Sequence, residues 1–378
     1  MRIEPFGVEI WMNAHETRCE LNLAETCVES LTVAELLALA GQDGSALTEL
    51  LPLKLTYGAI EGGDRLRCAI AALYENQSPE NVVVAHGAAG ANMLAHQALV
   101  SAGDRVVSMV PNYQQHTAIP ESFGADLHLL KLKAENGFLP DLGELRELAQ
   151  PGTKLIVFSN PNNPTGALMD RAMLEEIAAI ADACGAWVLA DEVYRGIDQD
   201  GSGFTASIAD IYPKGISTSS MSKAYSLAGL RLGWIAGPRE IIDSVSLHRD
   251  YSTISVGMLD DWLAALALEN RDAVLGRAQK ITRENLAILS EWVDAEPSIS
   301  WVKPRSGTTA LLRYDLGIPS TDFCLKLLAE TGVLLVPGAC FGIERTLRIG
   351  YANNATILRE GLSRLSGFLA KERQAIAA

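Results

Sequence analysis

The amino-acid sequence predicts an α/β fold with two parts. The first is a large domain whose mostly parallel sheet, of the seven-stranded type, lies between layers of helices, and the second is a smaller α+β domain. Short apolar runs rich in β-branched residues alternate with longer helical patterns between about residues 81 and 236. The chain has 378 residues and is 48% hydrophobic, which allows a large core and about two domains. We predict a large domain over residues 47–275 and a small domain formed by residues 1–46 together with 276–378.

The alternating region begins with the strand pattern NVVVAH (81–86), which is followed by a helical pattern in AAGANMLAHQALV (88–100). A second helical pattern, MLEEIAAIADAC (173–184), lies between two later strands. The remaining strand candidates are DRVVSMV (104–110), TKLIVFSN (153–160), AWVLADE (186–192) and GISTSS (215–220). This alternation is typical of a parallel sheet covered on both faces. Ligands of such sheets bind at the carboxyl ends of the strands.

After residue 240 the pattern becomes helical, and residues 271–293 predict one long amphipathic helix that leads to the C-terminal unit. In that unit the strand candidates are SISWVKP (298–304), TTALLRYD (308–315), GVLLVPG (332–338) and TLRIGYA (346–352). The helix candidates are DFCLKLLAETG (322–332) and ATILREGLSRLSGFLAKE (355–372). We expect the first forty or so residues to pack against this unit.

Composition argues against several classes of protein. The formal net charge of −15 disfavours binding to nucleic acid or to an anionic membrane surface. The first residues lack the basic start and apolar run of a signal peptide, and no apolar stretch is long enough to cross a bilayer, so a cytoplasmic location is expected. The six cysteines form no CxxC pair and share no metal-ligand spacing with the six histidines. They are predicted to be buried free thiols, and no metal site is expected.

A lysine and an arginine lie eight residues apart in a segment rich in hydroxyl groups, TSSMSKAYSLAGLRLGW (218–234). The Lys223 amine could condense with an aldehyde, while the neighbouring hydroxyls and Arg231 bind a phosphate. The pattern therefore favours an aldehyde cofactor that carries a phosphate. The alternative is a surface lysine in a polar loop.

Two further segments place suitable groups where strands end. HGAAGANM (86–93) opens a helix with small residues, so its free backbone amides could bind a phosphate, or the segment could be a plain turn. SNPNNPTG (159–166) ends a buried strand in a rigid turn, from which Asn163 can donate a hydrogen bond into the crevice.

Charged and phenolic side chains supply the rest of the predicted site. Asp191 follows an apolar strand, where a carboxylate needs a cation such as a protonated pyridine nitrogen, unless it caps a helix. Tyr194 could reach the ring hydroxyl from the same segment. Arg348 lies in an apolar strand and could bind a carboxylate of the substrate or form a structural salt bridge. Tyr57, in a Tyr-Gly turn, could bind a phosphate or simply pack.

These segments, taken together and in this order, resemble the pyridoxal-phosphate-dependent aminotransferases of fold type I, the aspartate-aminotransferase-like class I/II family. The resemblance runs from about residue 50 to the C-terminus. It is carried by YGxxxG, NPxNPTG, DEVY, SxSKxxxxxGxRxGW and LRIGYA. The combination is specific, although no single motif is.

The resemblance implies that pyridoxal 5′-phosphate is the cofactor, bound in the large domain, and that Lys223 holds it covalently and moves the substrate proton. It implies that Asp191 pairs with the pyridine nitrogen, that Tyr194 and Asn163 bind the ring hydroxyl, and that Tyr113 stacks on the ring. The groups expected to bind the phosphate are Ser220, Ser222, Arg231 and the backbone amides of Ala88 and Ala89. Arg348 is expected to bind the substrate α-carboxylate. Tyr57 is expected to reach the phosphate in a neighbouring subunit, which implies a homodimer.

The sequence departs from the family pattern in two places. Ala89 stands where many relatives carry Ser or Thr, so one phosphate hydroxyl is missing, a loss of about 1.5–3 kcal/mol. The segment LNLAETCVESLT (21–32) lacks the Gly-x-Pro of many relatives, and Glu25 occupies that neighbourhood. One hypothesis is that Glu25 faces the substrate side chain and favours a basic or polar amino acid. The alternative is a capping or surface role.

The predicted function is the transfer of an amino group between an L-amino acid and a 2-oxo acid, with ping-pong kinetics. A pyridoxal-phosphate-dependent C–S β-lyase, or another enzyme that modifies amino acids in biosynthesis on the same fold, is the alternative. A non-catalytic cofactor-binding module is a remote one. A dehydrogenase is excluded because no GxGxxG follows the first strand.

Overall fold

The computed structural model describes residues 2–377. Its strands are β1 (Leu21–Asn22), β2 (Val82–His86), β3 (Arg105–Val110), β4 (Asp126–Lys131), β5 (Thr153–Ser159), β6 (Trp187–Asp191), β7 (Gly215–Ser220), β8 (Leu232–Ala236), β9 (Ile299–Trp301), β10 (Thr309–Tyr314), β11 (Val333–Leu334), β12 (Val336–Pro337) and β13 (Thr346–Gly350). Its α-helices are α1 (Gly7–His15), α2 (Val33–Leu39), α3 (Asp64–Ala71), α4 (Gly87–Leu99), α5 (Gln115–Ser122), α6 (Leu142–Leu148), α7 (Arg171–Cys184), α8 (Ile208–Ile211), α9 (Arg239–Arg249), α10 (Met258–Glu269), α11 (Arg271–Ala295), α12 (Ser320–Thr331) and α13 (Ala355–Ala377).

The central sheet has seven strands in the order β2-β8-β7-β6-β5-β3-β4. The strands β7, β6, β5, β3 and β4 pair in parallel, whereas β8 runs antiparallel to both of its neighbours. Alternate residues of each strand face opposite sides of the sheet. On β5, for example, Val157 packs in the apolar cluster that contains α4 and α9, and Ile156 packs in the one that contains α7. The predicted α/β fold class is confirmed.

Helix α7 illustrates how local sequence sets the bounds of an element. The Asp170 carboxylate caps its start by accepting a hydrogen bond from the amide of Met173. Gly185 ends the helix with a φ of 79°, a left-handed conformation that glycine adopts at little cost. Between these ends, apolar side chains at helical spacing, among them Leu174 and Ile177, are buried against the sheet.

The smaller unit joins the N-terminal segment to the C-terminal part of the chain. A four-stranded antiparallel sheet has the order β12-β13-β10-β9, and β1 pairs in parallel with β11. Trp11 of α1 is buried and its indole N–H donates to the carbonyl of Leu335 at 2.9 Å. The expected packing on the C-terminal unit is therefore observed for α1 and β1, but it is wrong for α2, whose Leu36 and Leu37 pack in the apolar cluster that contains α3 and α10. The domain boundaries near residues 46 and 275 stay a prediction.

The structure contains several elements that were not predicted, among them the strands β1, β4 and β8 and the helices α1, α5 and α6. In addition, GVLLVPG (332–338) divides into β11 and β12, which belong to different sheets. Strand β4 lies at the edge of the central sheet and has exposed polar residues. Its sequence therefore lacks the continuous apolar run that is typical of a buried parallel strand. The long helix predicted over 271–293 is confirmed as α11.

All six cysteines are free thiols, but the prediction that they are buried is wrong for most of them. Cys324 is buried, whereas Cys68 is exposed on α3, because its position lies on the solvent side of that helix. Within residues 2–377 no helix is both long and apolar enough to span a membrane. The same residues contain no group of three or more His, Cys, Asp or Glu side chains placed to hold a metal ion.

Candidate active site

The carboxyl ends of β5, β6 and β7 and the start of α4 meet at one cavity of about 300 Å³. The N-terminal segment closes the cavity from the opposite side. Twelve of the thirteen predicted site residues line it: Glu25, Ala88, Ala89, Tyr113, Asn163, Asp191, Tyr194, Ser220, Ser222, Lys223, Arg231 and Arg348. Residues far apart in sequence are thus brought together because parallel strands end at the same edge of the sheet.

Lys223 lies in the loop that connects β7 to β8 and is half-buried, so the alternative of a plain surface lysine is wrong. Its amine donates to the Thr26 hydroxyl at 2.6 Å and lies 3.4 Å from the Cys27 sulfur. Burial disfavours the charged amine, but Cys27, Tyr194 and Glu25 outweigh burial and raise the pKa of Lys223. The N-terminal segment therefore positions the lysine from across the cavity.

The loop that carries Lys223 is held at both ends. The amide of Met221 donates to the carbonyl of Leu232, and the amide of Leu227 donates to the carbonyl of Met221. Because β7 and β8 are adjacent antiparallel strands, the loop leaves and returns at the same end of the sheet. Lys223 and Arg231 are consequently fixed with respect to each other.

Asp191 is buried at the end of β6, where a side-chain amide and an imidazole ring contact its carboxylate. The Asn92 side-chain amide donates to its carboxylate at 2.9 Å, and a ring nitrogen of His116 lies 3.4 Å from the same oxygen. His116 in turn contacts the ring of His96 at 3.2 Å. No α-helix begins at Asp191, although its carboxylate also accepts a hydrogen bond from the amide of Val193. The helix-cap interpretation of this aspartate is therefore wrong.

Donors for a phosphate surround the start of α4. Ala88 and Ala89 occupy its first turn, where backbone amides are free of intrahelical partners. Arg231 lies beside them: a Cβ on Gly87 would stand only 2.9 Å from its guanidinium. The guanidinium also donates to the Ala228 carbonyl at 2.9 Å, and Arg231 itself has a φ of 47°, which is uncommon for a residue with a side chain.

Arg348 is buried on β13, and within residues 2–377 no carboxylate lies within 4.0 Å of it, so the structural salt bridge is excluded. Its guanidinium donates to the Ala24 carbonyl at 3.0 Å and lies 3.5 Å from the side-chain oxygen of Asn163. The ring of Phe341 lies 5.4 Å below it. A buried guanidinium in this setting is ready to bind an anion.

Two buried polar atoms in the cavity wall have no hydrogen-bond partner within the described residues. They are the Tyr194 hydroxyl and the Nε of Arg348. Such groups are costly to bury unless a ligand satisfies them. The cavity therefore offers a carboxylate for a pyridine nitrogen, hydroxyl and amide groups for a ring oxygen, and a cationic cradle for a phosphate, which together fit pyridoxal phosphate.

Sequence reasoning missed several residues of the cavity. Thr26 and Cys27, which contact the lysine, and Glu9, Met12 and Glu16, which line the cavity from α1 and its end, carry no recognisable motif. Asn92 and His116 could have been suspected, since polar side chains within apolar helical patterns need buried partners.

Tyr57 is the one predicted site residue outside the cavity. Its side chain is 73% exposed on the segment before α3. A role at the cavity of the same subunit is therefore excluded.

Comparison with known proteins agrees with this geometry. The family profile of aminotransferase class I and II matches residues 42–365. Capreomycidine synthase of Streptomyces vinaceus is 34% identical over 95% of this chain and 92% of its own length. A pyridoxal-phosphate-dependent aminotransferase from Streptococcus suis has a TM-score of 0.96 at 42% identity and covers 98% of this chain and 99% of its own. The pyridoxal-phosphate-dependent cyclase OrfR has a TM-score of 0.91 at 28% identity, with 98% of each chain covered.

The predicted function and its alternative both agree with these relatives, because the names include an aminotransferase and two enzymes that form other products. The chain belongs to the class I and II aminotransferase family, and its cofactor is pyridoxal 5′-phosphate.

Proposed function

We propose that this enzyme is a transaminase, which transfers the amino group of an L-amino acid to a 2-oxo acid at the cavity described above. The observation that carries the proposal is the presence, in one cavity, of a lysine amine, a buried carboxylate and a buried guanidinium without a counter-ion, at Lys223, Asp191 and Arg348. The likeness to the Streptococcus suis aminotransferase over nearly the whole chain supports it.

When bound, pyridoxal phosphate supplies an electron-withdrawing ring that makes the α-proton of the amino acid acidic. In this chain Asp191 would keep the pyridine nitrogen protonated, with Asn92 and His116 holding its carboxylate in place. Asn163 and Tyr194 would bind the ring hydroxyl, and Tyr113 would stack on the ring. The phosphate would be held by Ser220, Ser222, Arg231 and the first amides of α4, those of Ala88 and Ala89.

The wall of the cavity opposite the cofactor phosphate site would position the substrate. Arg348 would bind the α-carboxylate with two of its guanidinium N–H groups, which orients the α-carbon toward Lys223. Lys223 would then move the proton between the α-carbon of the substrate and C4′ of the cofactor. The Thr26 hydroxyl, 2.6 Å from the lysine nitrogen, would hold the amine for that transfer.

The active form in this proposal is a cytoplasmic homodimer in which Tyr57 serves the neighbouring site. Tyr57 lies among exposed apolar side chains, with Leu51 and Leu55 82% and 77% exposed on the same segment. Arg249 of α9 donates to the carbonyl of Ile60, so this segment adjoins the exposed end of that helix. Several exposed apolar side chains on one segment are typical of a subunit interface.

A second candidate is a reaction that modifies the amino acid without exporting its amino group. It is favoured by the full-length matches to capreomycidine synthase and to the cyclase OrfR. The two candidates share every residue role above except the fate of the substrate nitrogen.

The stoichiometry of the reaction with an amino acid alone distinguishes the two candidate functions. With an amino acid and no acceptor, a transaminase should release one equivalent of 2-oxo acid per subunit and then stop until a 2-oxo acid is added. Lys223→Ala should bind the cofactor only non-covalently and lose at least about 10⁴-fold in rate, because the proton carrier is gone. Products that retain their amino group, with no oxo acid released, would favour the second candidate. Full activity of Lys223→Ala would refute both.

A further inference from the structure

The cavity lining contains more acidic side chains than basic ones. Among the described residues, its lining holds three basic side chains, Lys223, Arg231 and Arg348. In the proposed function all three are already engaged, by the cofactor aldehyde, the phosphate and the substrate carboxylate. Asp191 is likewise engaged by the ring nitrogen.

Three carboxylates then remain, and all of them come from the N-terminal segment: Glu9, Glu16 and Glu25. Within the part of the chain that the structure describes, none of them forms an ion pair within 4.0 Å. Glu9 accepts a hydrogen bond from the Tyr113 hydroxyl at 2.9 Å, which leaves its second oxygen available. Glu9 and Glu16 are exposed and Glu25 is half-buried, so a cationic group of a bound molecule could contact these three carboxylates.

Glu25 is held as an anion next to the lysine. Although burial raises the pKa of Glu25, the Lys223 amine and the amides of Cys27 and Thr26 outweigh burial and lower it. Those two amides donate to the same carboxylate oxygen at 2.8 and 2.6 Å. The Cys27 thiol also bonds to this carboxylate, which keeps part of its capacity to accept hydrogen bonds for a ligand.

The spacing of the glutamates along α1 also sets a requirement on the length of the ligand side chain. Glu9, Met12 and the C-cap residue Glu16 are spaced along one face of the helix, and the backbones of the two glutamates are about 10 Å apart along its axis. Met12 supplies an apolar surface between them, and Val8 extends it beyond Glu9. An aliphatic stem can pack there while a cation at its end reaches a carboxylate.

We propose that the substrate is an α-amino acid whose aliphatic side chain ends in a guanidinium or ammonium cation, and that Glu9, Glu16 and Glu25 select it. The unpartnered buried atoms of Tyr194 and Arg348, which the proposed function assigns to the cofactor and to the substrate α-carboxylate, indicate that a ligand binds in the cavity that these carboxylates line. The inference rests on the proposed function, because it takes Arg348 and Lys223 as bound to the substrate carboxylate and the cofactor.

Binding to the cofactor-loaded enzyme tests the proposal with matched pairs of ligands. Arginine is compared with citrulline, its uncharged counterpart, and lysine with norleucine. Dissociation constants come from the cofactor absorption band, and the shift of the thermal melting midpoint gives a readout independent of turnover. The variants are Glu9→Gln, Glu16→Gln, Glu25→Gln and the triple variant. Glu4→Gln is the control, since Glu4 is exposed on the same segment but lies outside the cavity.

We expect the cationic member of at least one pair to bind about tenfold or more tightly, and this preference to shrink with added salt. The triple Gln variant should lose the preference while retaining the cofactor band, and Glu4→Gln should keep it. Equal binding of charged and neutral members, or an unchanged preference in the triple variant, would overturn the inference and leave the proposed function standing. Absence of any spectral or melting response to every amino acid would overturn both.

Discussion

At the scale of single residues, two neighbouring carboxyl groups at the end of β6 have different surroundings. Asp191 lines the cavity and meets Asn92 and His116, whereas Glu192 is buried among Ser207, Ser217 and the amide of Ile208. Burial raises the pKa of Glu192 to about 7, despite these donors and the charge of Arg195. In the motif DEVY, the predicted cofactor-binding residue Asp191 is thus followed by Glu192, a buried acid with a structural role.

The raised pKa makes folding stability depend on pH. Between about pH 4.5 and 7 the folded chain keeps a proton on Glu192 that the unfolded chain has lost, so stability falls as pH rises through this window. The fall attributable to Glu192 is about 3 kcal/mol. Glu192→Gln should remove that part of the difference in unfolding free energy between pH 5 and pH 8, measured by urea titration.

An exposed glutamate provides the control for this prediction. Glu147→Gln should keep the full pH dependence, because Glu147 is exposed on α6. An identical decline in wild type and Glu192→Gln would contradict the assignment of this carboxyl. Asp198, whose pKa burial raises to about 6, should account for part of the slope that remains.

At the scale of secondary-structure elements, close packing of β8 against the start of α4 shapes the predicted phosphate site. Gly233 of β8 pairs with Ala85 of β2 and with Ser220 of β7. A Cβ on Gly233 would collide with the carbonyl carbon of Gly87 and lie 2.7 Å from the amide nitrogen of Ala88. Both contacts are with backbone, so no side-chain rotation relieves them.

Gly233→Ala should therefore displace the turn that presents the amides of Ala88 and Ala89. We expect a loss of about 1–3 kcal/mol in stability from overpacking and at least about a tenfold weaker affinity for pyridoxal phosphate. Gly229→Ala, in the same motif, is the matched control, since nothing lies within 4 Å of its added methyl group. Thermal melting and equilibrium dialysis of the cofactor measure the two effects. Normal cofactor affinity in Gly233→Ala would show that the turn tolerates displacement.

Elements that carry a motif at a strand end could be predicted from sequence, because the motif and the apolar run before it reinforce each other. This held for β5, β6 and β7, whose ends meet at the cavity as expected. The contribution of α1 could not be predicted. Glu9 and Glu16 belong to the exposed part of an ordinary amphipathic helix and of its cap. They reach the cavity because Trp11 docks on the C-terminal unit and because Gln114 accepts a hydrogen bond from the amide of Gly7. The reversed direction of β8 is likewise a product of tertiary packing.

At the scale of the whole molecule, apolar surface remains uncovered on the side that carries Tyr57. Leu247 and Tyr251, at the end of α9 and just after it, are 69% and 96% exposed. An enzyme with a net charge of −15 has ample polar surface elsewhere, so this concentration favours a partner of its own kind.

Two substitutions separate dimerisation from cofactor binding. Tyr251→Glu should shift the dimer toward monomer in sedimentation experiments, because a charge would be buried at the interface. Tyr57→Phe should leave the dimer intact but weaken pyridoxal phosphate binding about tenfold, since one hydrogen bond to a charged group is lost. A monomeric wild-type enzyme, or unchanged cofactor affinity in Tyr57→Phe, would contradict the proposed exchange of residues between subunits.

The antiparallel placement of β8 has a consequence for how this enzyme can change. Since both ends of the β7–β8 loop are anchored in the same sheet, the number of residues between Lys223 and Arg231 sets the span available to a ligand held by both. Inserting or deleting a single residue of any type between them would change the distance between the Lys223 amine and the Arg231 guanidinium or rotate one of these side chains. We therefore expect the length of this loop to tolerate less change than the sequence of the N-terminal segment.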